Sequence, residues 1–378
     1  MNRKGKTNFD RSVGADTLLD LRTRLARRGM KSEMLDARLA YIEEAQVLSH
    51  YLSHVYWPET AEPGPTYDQP ERVYPHMLPT QANGRWSVTH PPIINFPSDI
   101  RDVVQPDPGW PWLTWDWDAL YARFCAAYTH DTDDLEAFKH GYDVHTITAC
   151  RMTKLELPPD LKDPHTSPAC AAWREKHGWK GKDDKRRVLA KVRYALIFGK
   201  DWTAVRGSKY ERDMVKMGFP VSDMEKAAKL FLQSKPNLVS TRMKYFEELA
   251  KKGEARTIFG RRRKLFGDWG TRAKEGWNHL FQGLEADLLG MTLIALCSPP
   301  SKWRLVYPVH DGAKIAVPES HLNLANTYNE GTDNYSPRAE TLARFKQAVI
   351  HKLEIEREQI TCDATMGIVW ADGRKEKI

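Results

Sequence analysis

The chain of 378 residues carries a net charge of +7, has a pI near 9, and is 41% hydrophobic. This length predicts two or three subdomains with a sizeable core, and the basic balance favours a polyanionic partner. Five scattered cysteines without Cys-x-x-Cys or Cys/His spacing argue against a disulfide framework and a zinc site. No apolar run approaches the roughly 20 residues that span a bilayer, and no signal peptide is evident, so we expect an intracellular protein without a membrane partner.

The N-terminal part of the chain predicts a helix followed by a flexible connector. Apolar residues recur at helical spacing between about Ser32 and Val55. The Pro- and Gly-rich stretch from Trp57 to Pro75 is the clearest loop signal in the chain. Next, Gly84-Arg85-Trp86-Ser87 and the aromatic run from Pro91 to Pro97 predict ordered, irregular loops.

The first of two short acidic segments, Trp115-Asp116-Trp117-Asp118, ends an apolar, strand-like run. A helical pattern follows from Leu120 to Ala127. This arrangement places Asp116 at the end of a strand and makes Asp118 a candidate helix N-cap. Taken alone, an Asp before a helix is usually only a cap.

Two helical regions are predicted in the middle of the chain. The first is a basic helix from about Asp183 to Gly199, with the glycine as its C-terminal stop. The second extends from Met224 to Lys252 and is broken at Pro236. The stretch Thr257-Ile258-Phe259-Gly260 then predicts a strand before a cluster of arginines.

One face of the basic helix combines two cations with two aromatic rings. The four residues are separated by 4, 3 and 4 positions, which places them together at about 100° per residue. Cations suit a triphosphate, and rings suit stacking on a base or sugar. The alternative is an ordinary helix with a snorkelling lysine and a buried ring pair. These residues are Arg187, Lys191, Tyr194 and Phe198.

Helical patterns return from about Arg272 to Leu296 and from Pro337 to Glu358. On the first of these helices, one face is polar and is formed by Lys274, Asn278 and Gln282. The apolar residues predicted to pack on its other faces are Leu280, Leu284, Leu288 and Met291.

The second acidic segment, Val309-His310-Asp311-Gly312, lies between two apolar runs. An Asp-Gly pair in this setting predicts a hairpin with Asp311 at or beside its tip, although such a pair alone is usually only a turn. Asp116 and Asp311 would then both lie at strand ends. Paired carboxylates on rigid strands are what a two-metal phosphoryl-transfer site requires.

Over most of its length the chain resembles the polymerase region of family A (Pol I-like) DNA polymerases. The resemblance rests on several motifs in the same order along the chain. They are Gly84 to Ser87 with Asn95 to Pro97, Asp116 to Arg123 (first palm motif), Asp143-Val144-His145, Thr257 to Arg263 (arginine turn), Asn278 with Gln282-Gly283, and Val309-His310-Asp311 (third palm motif).

The resemblance implies an α+β, right-hand polymerase fold with an antiparallel-sheet palm and helical fingers. It also implies a truncated thumb and no exonuclease domain. The expected division is a helical N-terminal region or thumb remnant at 1–75 and the first part of the palm at 76–145. Fingers follow at 146–256, with a nucleotide-binding helix at about 184–199, and the second part of the palm occupies 257–378.

The function implied by the resemblance is template-directed addition of deoxynucleotides to a primer 3′-OH, without intrinsic proofreading. Asp116 and Asp311 would bind two Mg²⁺ ions, for which Mn²⁺ can substitute, and the backbone carbonyl of Trp117 would add a ligand. Lys191 would neutralise charge on the pyrophosphate leaving group and is, with the two aspartates, a predicted catalytic residue.

The resemblance also implies contacts to nucleotide and to primer-template DNA. Minor-groove acceptors are nearly equivalent among base pairs, so polar donors there check pairing without reading sequence, while arginines grip phosphates. The predicted nucleotide-binding residues are His145, Arg187, Lys191, Tyr194, Phe198 and Tyr121. The predicted DNA-binding residues are Arg85, Asn95, Arg261, Arg262, Arg263, Lys274, Asn278, Gln282 and His310.

Three positions depart from the family pattern. Tyr121 and Gly312 replace two glutamates, and the helix is one residue short between Lys191 and Tyr194, so alignment by the rings would put Ala190 in the lysine position. The ring of Tyr121 is predicted to exclude a ribose 2′-OH.

Two rival functions stay open: an inactive accessory subunit that binds nucleic acid, and a single-subunit RNA polymerase. A separate chain supplying thumb, exonuclease or processivity function is a further expected partner. The expected setting is the cytoplasm of a bacterial or phage-infected cell, with an organelle as the alternative.

Overall fold

The computed structural model describes residues 15–46, 75–89, 91–96, 104–179, 185–199, 221–309, 311–322 and 337–378. Contacts divide the chain into two compact units. The first unit comprises Met1–Ser53 and Ala137–Pro236, and the second comprises His54–Glu136 and Asn237–Ile378. The assignment of palm, fingers and thumb remnant stays a prediction.

Eleven α-helices lie in the described residues. In chain order they are α1 (Ala15–Arg27), α2 (Glu33–Gln46), α3 (Leu120–Tyr128), α4 (Thr132–Lys139), α5 (Val144–Thr153), α6 (Ala171–His177), α7 (Lys185–Ile197), α8 (Val221–Gln233), α9 (Pro236–Lys252), α10 (Trp269–Cys297) and α11 (Pro337–Val349).

Eleven strands, all paired antiparallel, lie in the same residues. A five-stranded sheet has the order β11-β10-β3-β7-β6, and β1-β2, β4-β5 and β8-β9 are two-stranded pairs. The strands are β1 (His76–Leu78), β2 (Ser87–Thr89), β3 (Trp112–Trp117), β4 (Glu254–Arg256), β5 (Arg262–Lys264), β6 (Arg304–Val309), β7 (Gly312–Ala316), β8 (His351–Ile355), β9 (Glu358–Cys362), β10 (Ala364–Val369) and β11 (Lys375–Lys377). The predicted α+β class with an antiparallel sheet is confirmed.

The helices of the first unit follow the predicted periodicity. Leu18 of α1 packs with Leu35 and Leu39 of α2, and α5, α7 and α8 pack against one another. The predicted break at Pro236 is confirmed, because α9 begins at that residue, where its missing N–H is not needed. The predicted extension of α2 to Val55 and most of the connector after Trp57 lie outside the described residues.

The core of the second unit is organised around the long helix α10. Its buried Trp277 and Phe281 contact Tyr128 and Phe124 of α3 through edge-to-face rings. Among the described residues, α10 alone is long and apolar enough to cross a membrane, yet 61% of its most apolar window is buried inside the protein. That burial is what a core helix requires. Of its predicted packing residues, Met291 is instead 38% exposed.

Three sequence predictions of secondary structure are wrong. The stretch Thr257–Gly260 forms the turn between β4 and β5, because the Gly260 N–H bonds to the Thr257 carbonyl and Gly260 has φ +87°. The helix beginning at Pro337 ends at Val349 rather than Glu358, and the β8-β9 hairpin follows. In addition, Ser87 begins β2 instead of closing an irregular loop.

Candidate active site

Asp116 is an exposed residue on the middle strand of the sheet. Successive side chains of β3 alternate between faces, and Trp115 and Trp117 are buried on one of them. The Trp115 ring contacts Phe345 of α11, and the Trp117 indole donates to the Val349 carbonyl at 2.9 Å. Asp116, between the two tryptophans, is therefore turned to the other face and is exposed.

Asp311 lies in the two-residue turn that joins β6 to β7, as predicted, since Val309 pairs with Gly312. In the ladder between β3 and β7, Gly312 lies opposite Asp116. The Trp117 N–H also donates to the backbone carbonyl of Asp311 at 3.3 Å. The fold thus brings the two predicted metal ligands to the same end of the sheet. His310, predicted to contact DNA, lies outside the described residues.

The strands approach so closely at Gly312 that no side chain fits there. A Cβ built on this residue would lie 1.8 Å from the carbonyl oxygen of Trp115 and 3.1 Å from the Cα of Asp116. Both atoms belong to backbone and cannot rotate away. The glycine that replaces a family glutamate is therefore a requirement of this sheet.

The prediction that Asp118 caps a helix is wrong. The N-cap of α3 is Ala119, which has a left-handed backbone conformation (φ 52°) and makes no side-chain cap bond. Asp118 instead accepts a 2.8 Å hydrogen bond from the hydroxyl of Thr365 on β10. Its carboxylate thus fastens β3 to the neighbouring strand.

A third acidic residue, Glu285 of α10, was missed by the sequence analysis. Its side chain is only 2% exposed. Arg85 donates to it from Nε at 3.0 Å and from Nη2, and the Tyr121 hydroxyl donates to the same Oε2 oxygen. Arg85 therefore pairs with an acid, although it was predicted to contact DNA. The sequence did contain a signal for this residue, because Glu285 is an ionisable side chain among the apolar positions of a predicted core helix.

The electrostatics of Glu285 connect it with the two aspartates. Burial raises the pKa of Glu285 to about 8, against the opposing effect of the positive charge on Arg85. The negative charges of Asp311 and Asp116 raise the same pKa further. Three carboxyl groups of this unit are thus close enough to influence one another.

The donor set at the end of the sheet fits a divalent cation. Polymerases of this family use divalent metal ions. Two carboxylates on neighbouring backbone segments offer the hard oxygen ligands that such cations prefer. In the described residues no cluster of three or more His, Cys, Asp or Glu side chains forms a metal cage. The aspartates would therefore need ligands from bound substrate or water to complete coordination.

In the first unit, the predicted nucleotide-binding residues of α7 share its accessible face. Val188, Leu189, Val192 and Leu196 are buried on the other side of the helix. Arg187 is exposed, while Lys191, Tyr194 and Phe198 are half-buried. These four residues thus lie away from the buried side of the helix, with Phe198 just beyond its last residue, and their binding of nucleotide stays a prediction. Ala190, the alternative at the lysine position, is half-buried too.

His145 meets this face through Tyr194. Its Nε2 lies 3.1 Å from the Tyr194 hydroxyl, and the two ring centroids are 5.2 Å apart. His145 is the second residue of α5, whose N-cap Asp143 accepts from the backbone N–H groups of His145 and Thr146. The Asp-Val-His motif therefore works as a cap followed by a positioned imidazole.

Asp143 is held as a carboxylate by its neighbours. Burial acts to raise its pKa, but the hydrogen bond with His165 and the charge of Arg186 outweigh burial, and the pKa lies well below its usual range. Arg186 donates to Asp143 at 2.5 Å and to the Thr146 hydroxyl at 3.1 Å. Arg186 thus anchors α7 to the start of α5.

Replacing Asp143 by Ala should lower the free energy of unfolding by roughly 3 kcal/mol at pH 7, because a cap and a partner of Arg186 are lost together. Because the folded pKa is depressed, this stabilisation is present above the ordinary Asp pKa and is lost as pH falls through the folded value. Urea unfolding at pH 7 and pH 3 should therefore show a smaller difference between variant and wild type at pH 3.

The control is Glu175→Gln, which alters an exposed carboxylate on α6. We expect it to leave unfolding unchanged at both pH values. A constant difference between Asp143→Ala and wild type across the pH range would contradict the assignment.

The three arginines predicted to grip phosphates each form an ion pair. Arg261 bonds to Asp287 at 2.6 Å. Arg262 bonds to Glu254 at 2.7 Å, and Arg263 bonds to Glu275 at 2.8 Å. Arg261 and Arg262 are exposed, so their guanidinium groups remain accessible to solvent. Their contact with DNA stays a prediction.

The predicted polar face of α10 is accessible as well. Lys274 is exposed, and Asn278 and Gln282 are half-buried. Gln282 accepts a 2.8 Å hydrogen bond from Asn83. Asn95 is exposed at the end of a short 3₁₀ turn, Ile93–Asn95. These positions suit surface contacts, which stay predictions.

Comparison with known proteins identifies the class to which this fold and site belong. The sequence model of DNA polymerase family A matches residues 2–332. The chain therefore belongs to DNA polymerase family A.

Individual relatives are distant. The chain is 24% identical over 340 residues to DNA polymerase I of Lactococcus lactis subsp. cremoris, covering 85% of this chain and 34% of that protein. It is 25% identical over 255 residues to the thermostable DNA polymerase I of Thermus thermophilus, covering 63% and 27%. The chain thus spans about a third or less of the length of these relatives.

A solved structure supports the fold over nearly the whole chain. The POL domain of Pol1 from M. smegmatis, in complex with DNA primer-template and dNTP, aligns with a TM-score of 0.66. The alignment covers 96% of this chain and 57% of that chain, at 18% identity. The predicted likeness to a polymerase-domain fold is confirmed by this alignment.

Proposed function

We propose that this chain is a template-directed DNA polymerase that adds deoxynucleotides to a primer 3′-OH by two-metal-ion phosphoryl transfer. The observation that carries the proposal is the pair of aspartates at one end of the sheet, Asp116 opposite Gly312 and Asp311 in the adjoining turn. Membership of DNA polymerase family A supports it. A finer part of the proposal is that the chain does not remove mismatched primer ends.

Asp116 and Asp311 would hold two Mg²⁺ ions, or Mn²⁺, with the carbonyl of Trp117 as a further ligand. When bound, such ions stabilise negative charge on the attacking and leaving oxygens. The role of the protein is to fix the two carboxylates, and the ladder between β3 and β7 does so through backbone hydrogen bonds. Rigid strand ends hold ligands in place better than loops do.

In the first unit, the accessible face of α7 would bind the incoming nucleotide. Lys191 and Arg187 supply positive charge for the phosphates, and Lys191 neutralises the departing pyrophosphate. Tyr194 and Phe198 offer rings for the base or sugar. His145, held at 3.1 Å from the Tyr194 hydroxyl, adds a donor to the same face. Primer-template DNA and deoxynucleoside triphosphates are the proposed partners.

Replacing Tyr121 by Ala should relax sugar selection by about 100-fold, measured as the ratio of kcat/KM for ribonucleotide and deoxynucleotide incorporation. The physical reason is that the ring fills space that a 2′-hydroxyl would need. Tyr121→Phe keeps the ring and should cause a smaller change. A wild type that incorporates ribonucleotides efficiently, with no change in Tyr121→Ala, would contradict this role and favour the RNA polymerase reading.

Replacing Tyr194 by Phe should reduce chain termination by 2′,3′-dideoxynucleotides by about tenfold. The Tyr194 hydroxyl lies in the predicted nucleotide face, where it can replace the missing 3′-hydroxyl as a polar neighbour, and one such hydrogen bond is worth about that factor. Termination is measured on a primed template at a fixed ratio of dideoxy- to deoxynucleotide. Tyr142→Phe, a half-buried tyrosine of the same unit, is the control. Equal termination by wild type and Tyr194→Phe would refute the role.

Primer extension on a defined template in Mg²⁺ tests the proposed function, run beside a gel-shift measurement of DNA binding. Extension supports the polymerase. Binding of DNA without extension supports the accessory subunit, a reading that draws on the departures at Tyr121, Gly312 and Lys191.

A further inference from the structure

The ring of Tyr121 is held from three directions within the second unit. Its edge meets Phe281 with ring centroids 6.3 Å apart, and the Arg85 guanidinium lies over the ring at 5.7 Å from the centroid. Its hydroxyl donates to Glu285. A ring with contacts on its face, edge and hydroxyl has little freedom to change rotamer.

Two of these contacts come from the same helix. Phe281 and Glu285 are four residues apart on α10 and therefore lie one above the other on one face. The same Glu285 oxygen also accepts from Arg85, so one carboxyl group fixes both the ring and the cation above it. Because Glu285 is buried, leaving its carboxyl group without a hydrogen-bond donor would destabilise the fold. Both Tyr121 and Arg85 are therefore needed as donors.

The contact between Glu285 and Tyr121 compensates for a difference between this sequence and the family pattern. Tyr121 stands where the family pattern has a glutamate, which removes a carboxylate from α3. Glu285 supplies a carboxyl group at Tyr121 from α10, 164 residues further along the chain. The acidic group is thus present beside the same position but is carried by a different helix.

We propose that Glu285 is a positioning residue for sugar selection, holding Tyr121 and Arg85 in place beside the pair of aspartates. This inference rests on the proposed polymerase function and adds to it a residue that acts through Tyr121. Glu285 itself does not touch the reacting atoms.

The test measures the ratio of kcat/KM for ribonucleotide and deoxynucleotide incorporation in Glu285→Ala, Glu285→Gln and Tyr121→Phe. Glu285→Ala frees the ring and should raise the ratio about tenfold, and Tyr121→Phe should do the same because it removes the same bond. Glu285→Gln retains an amide oxygen that accepts from the Tyr121 hydroxyl. It should change the ratio by less than about threefold, which makes it the conservative rescue.

The double variant Tyr121→Ala/Glu285→Ala distinguishes positioning from general damage. If Glu285 acts through the ring, the double variant should match Tyr121→Ala alone, because no ring remains to be held. A merely structural role would lower incorporation of both sugars alike and would add to the effect of Tyr121→Ala. Glu376→Ala, which removes a carboxylate paired with Arg338 in the same unit, should leave the ratio unchanged.

A second readout does not depend on turnover. A primer ending in a dideoxynucleotide cannot be extended, so equilibrium binding of deoxy- and ribonucleoside triphosphate to its complex reports selection alone. Glu285→Ala should reduce the difference between the Kd for the deoxynucleoside triphosphate and the Kd for the ribonucleoside triphosphate. If this variant melts below the assay temperature, Tyr121→Phe must still show the shift.

The outcomes separate the inference from the proposed function. An active wild type whose sugar selection is unchanged in both Glu285→Ala and Tyr121→Phe overturns the inference only. A wild type that adds no nucleotide and binds none contradicts the proposed function itself.

Discussion

Asp116→Asn and Asp311→Asn should each reduce the rate of primer extension at least about 1000-fold. Asparagine keeps the size of the side chain and one oxygen, but it removes the negative charge that would hold a divalent ion. Because Asp116 is exposed on β3 and Asp311 is only half-buried in its turn, neither substitution should disturb folding. Single-turnover extension of a labelled primer measures the effect, and thermal melting verifies the fold.

The matched control for the aspartates is Asp118→Asn, in the same acidic segment. Its carboxylate accepts a hydrogen bond from the Thr365 hydroxyl and has no proposed role in metal binding. We expect a change in rate of less than about threefold. DNA affinity should be unchanged or higher in all three variants, since each loses a negative charge. Full activity in Asp116→Asn or Asp311→Asn would refute the metal-ligand assignment.

Gly312→Ala should lower the free energy of unfolding by roughly 3 kcal/mol, since a Cβ has no room between the strands. The added carbon would meet the Trp115 carbonyl oxygen at 1.8 Å, so β7 must move away from β3. That movement would shift Asp311 relative to Asp116, and primer extension should fall as well. Chemical denaturation and extension assays report the two effects.

Gly290→Ala is the control for this substitution. Gly290 lies within α10, and nothing is within 4 Å of the position that its Cβ would take. An alanine there should stabilise the helix by about 0.5–1 kcal/mol. If Gly312→Ala were as stable and as active as wild type, the close approach of β3 and β7 at Gly312 would be contradicted.

The parts of the site that were predicted correctly depend on patterns among residues close together in the sequence. The apolar run before Asp116 and the Asp-Gly pair at Asp311 specify a strand end and a turn from neighbouring residues alone. The spacing of the residues around Lys191 likewise gives the accessible face of α7 from helical geometry. These features depend on residues within one turn or one strand.

Long-range pairing carried the parts that were missed. Glu285 gains its role from Tyr121 and Arg85, which lie 164 and 200 residues earlier in the chain. The β8-β9 hairpin was predicted to be helix because its lysine, glutamates and leucine also suit helices, although His351 to Ile355 alternates as strands do. Asp118 does not cap a helix as was predicted, because its carboxylate bonds to Thr365 of β10, a strand that is distant in sequence.

Single-nucleotide addition to a primed template tests the central claim most directly. Purified chain is offered each of the four deoxynucleoside triphosphates separately, on four templates that differ at one position, with Mg²⁺ and with EDTA. We predict that the complementary nucleotide alone is added efficiently, that EDTA stops addition, and that Asp116→Asn and Asp311→Asn are inert. Addition that ignores the template, or equal inactivity of wild type and both variants while DNA is still bound, would contradict the account.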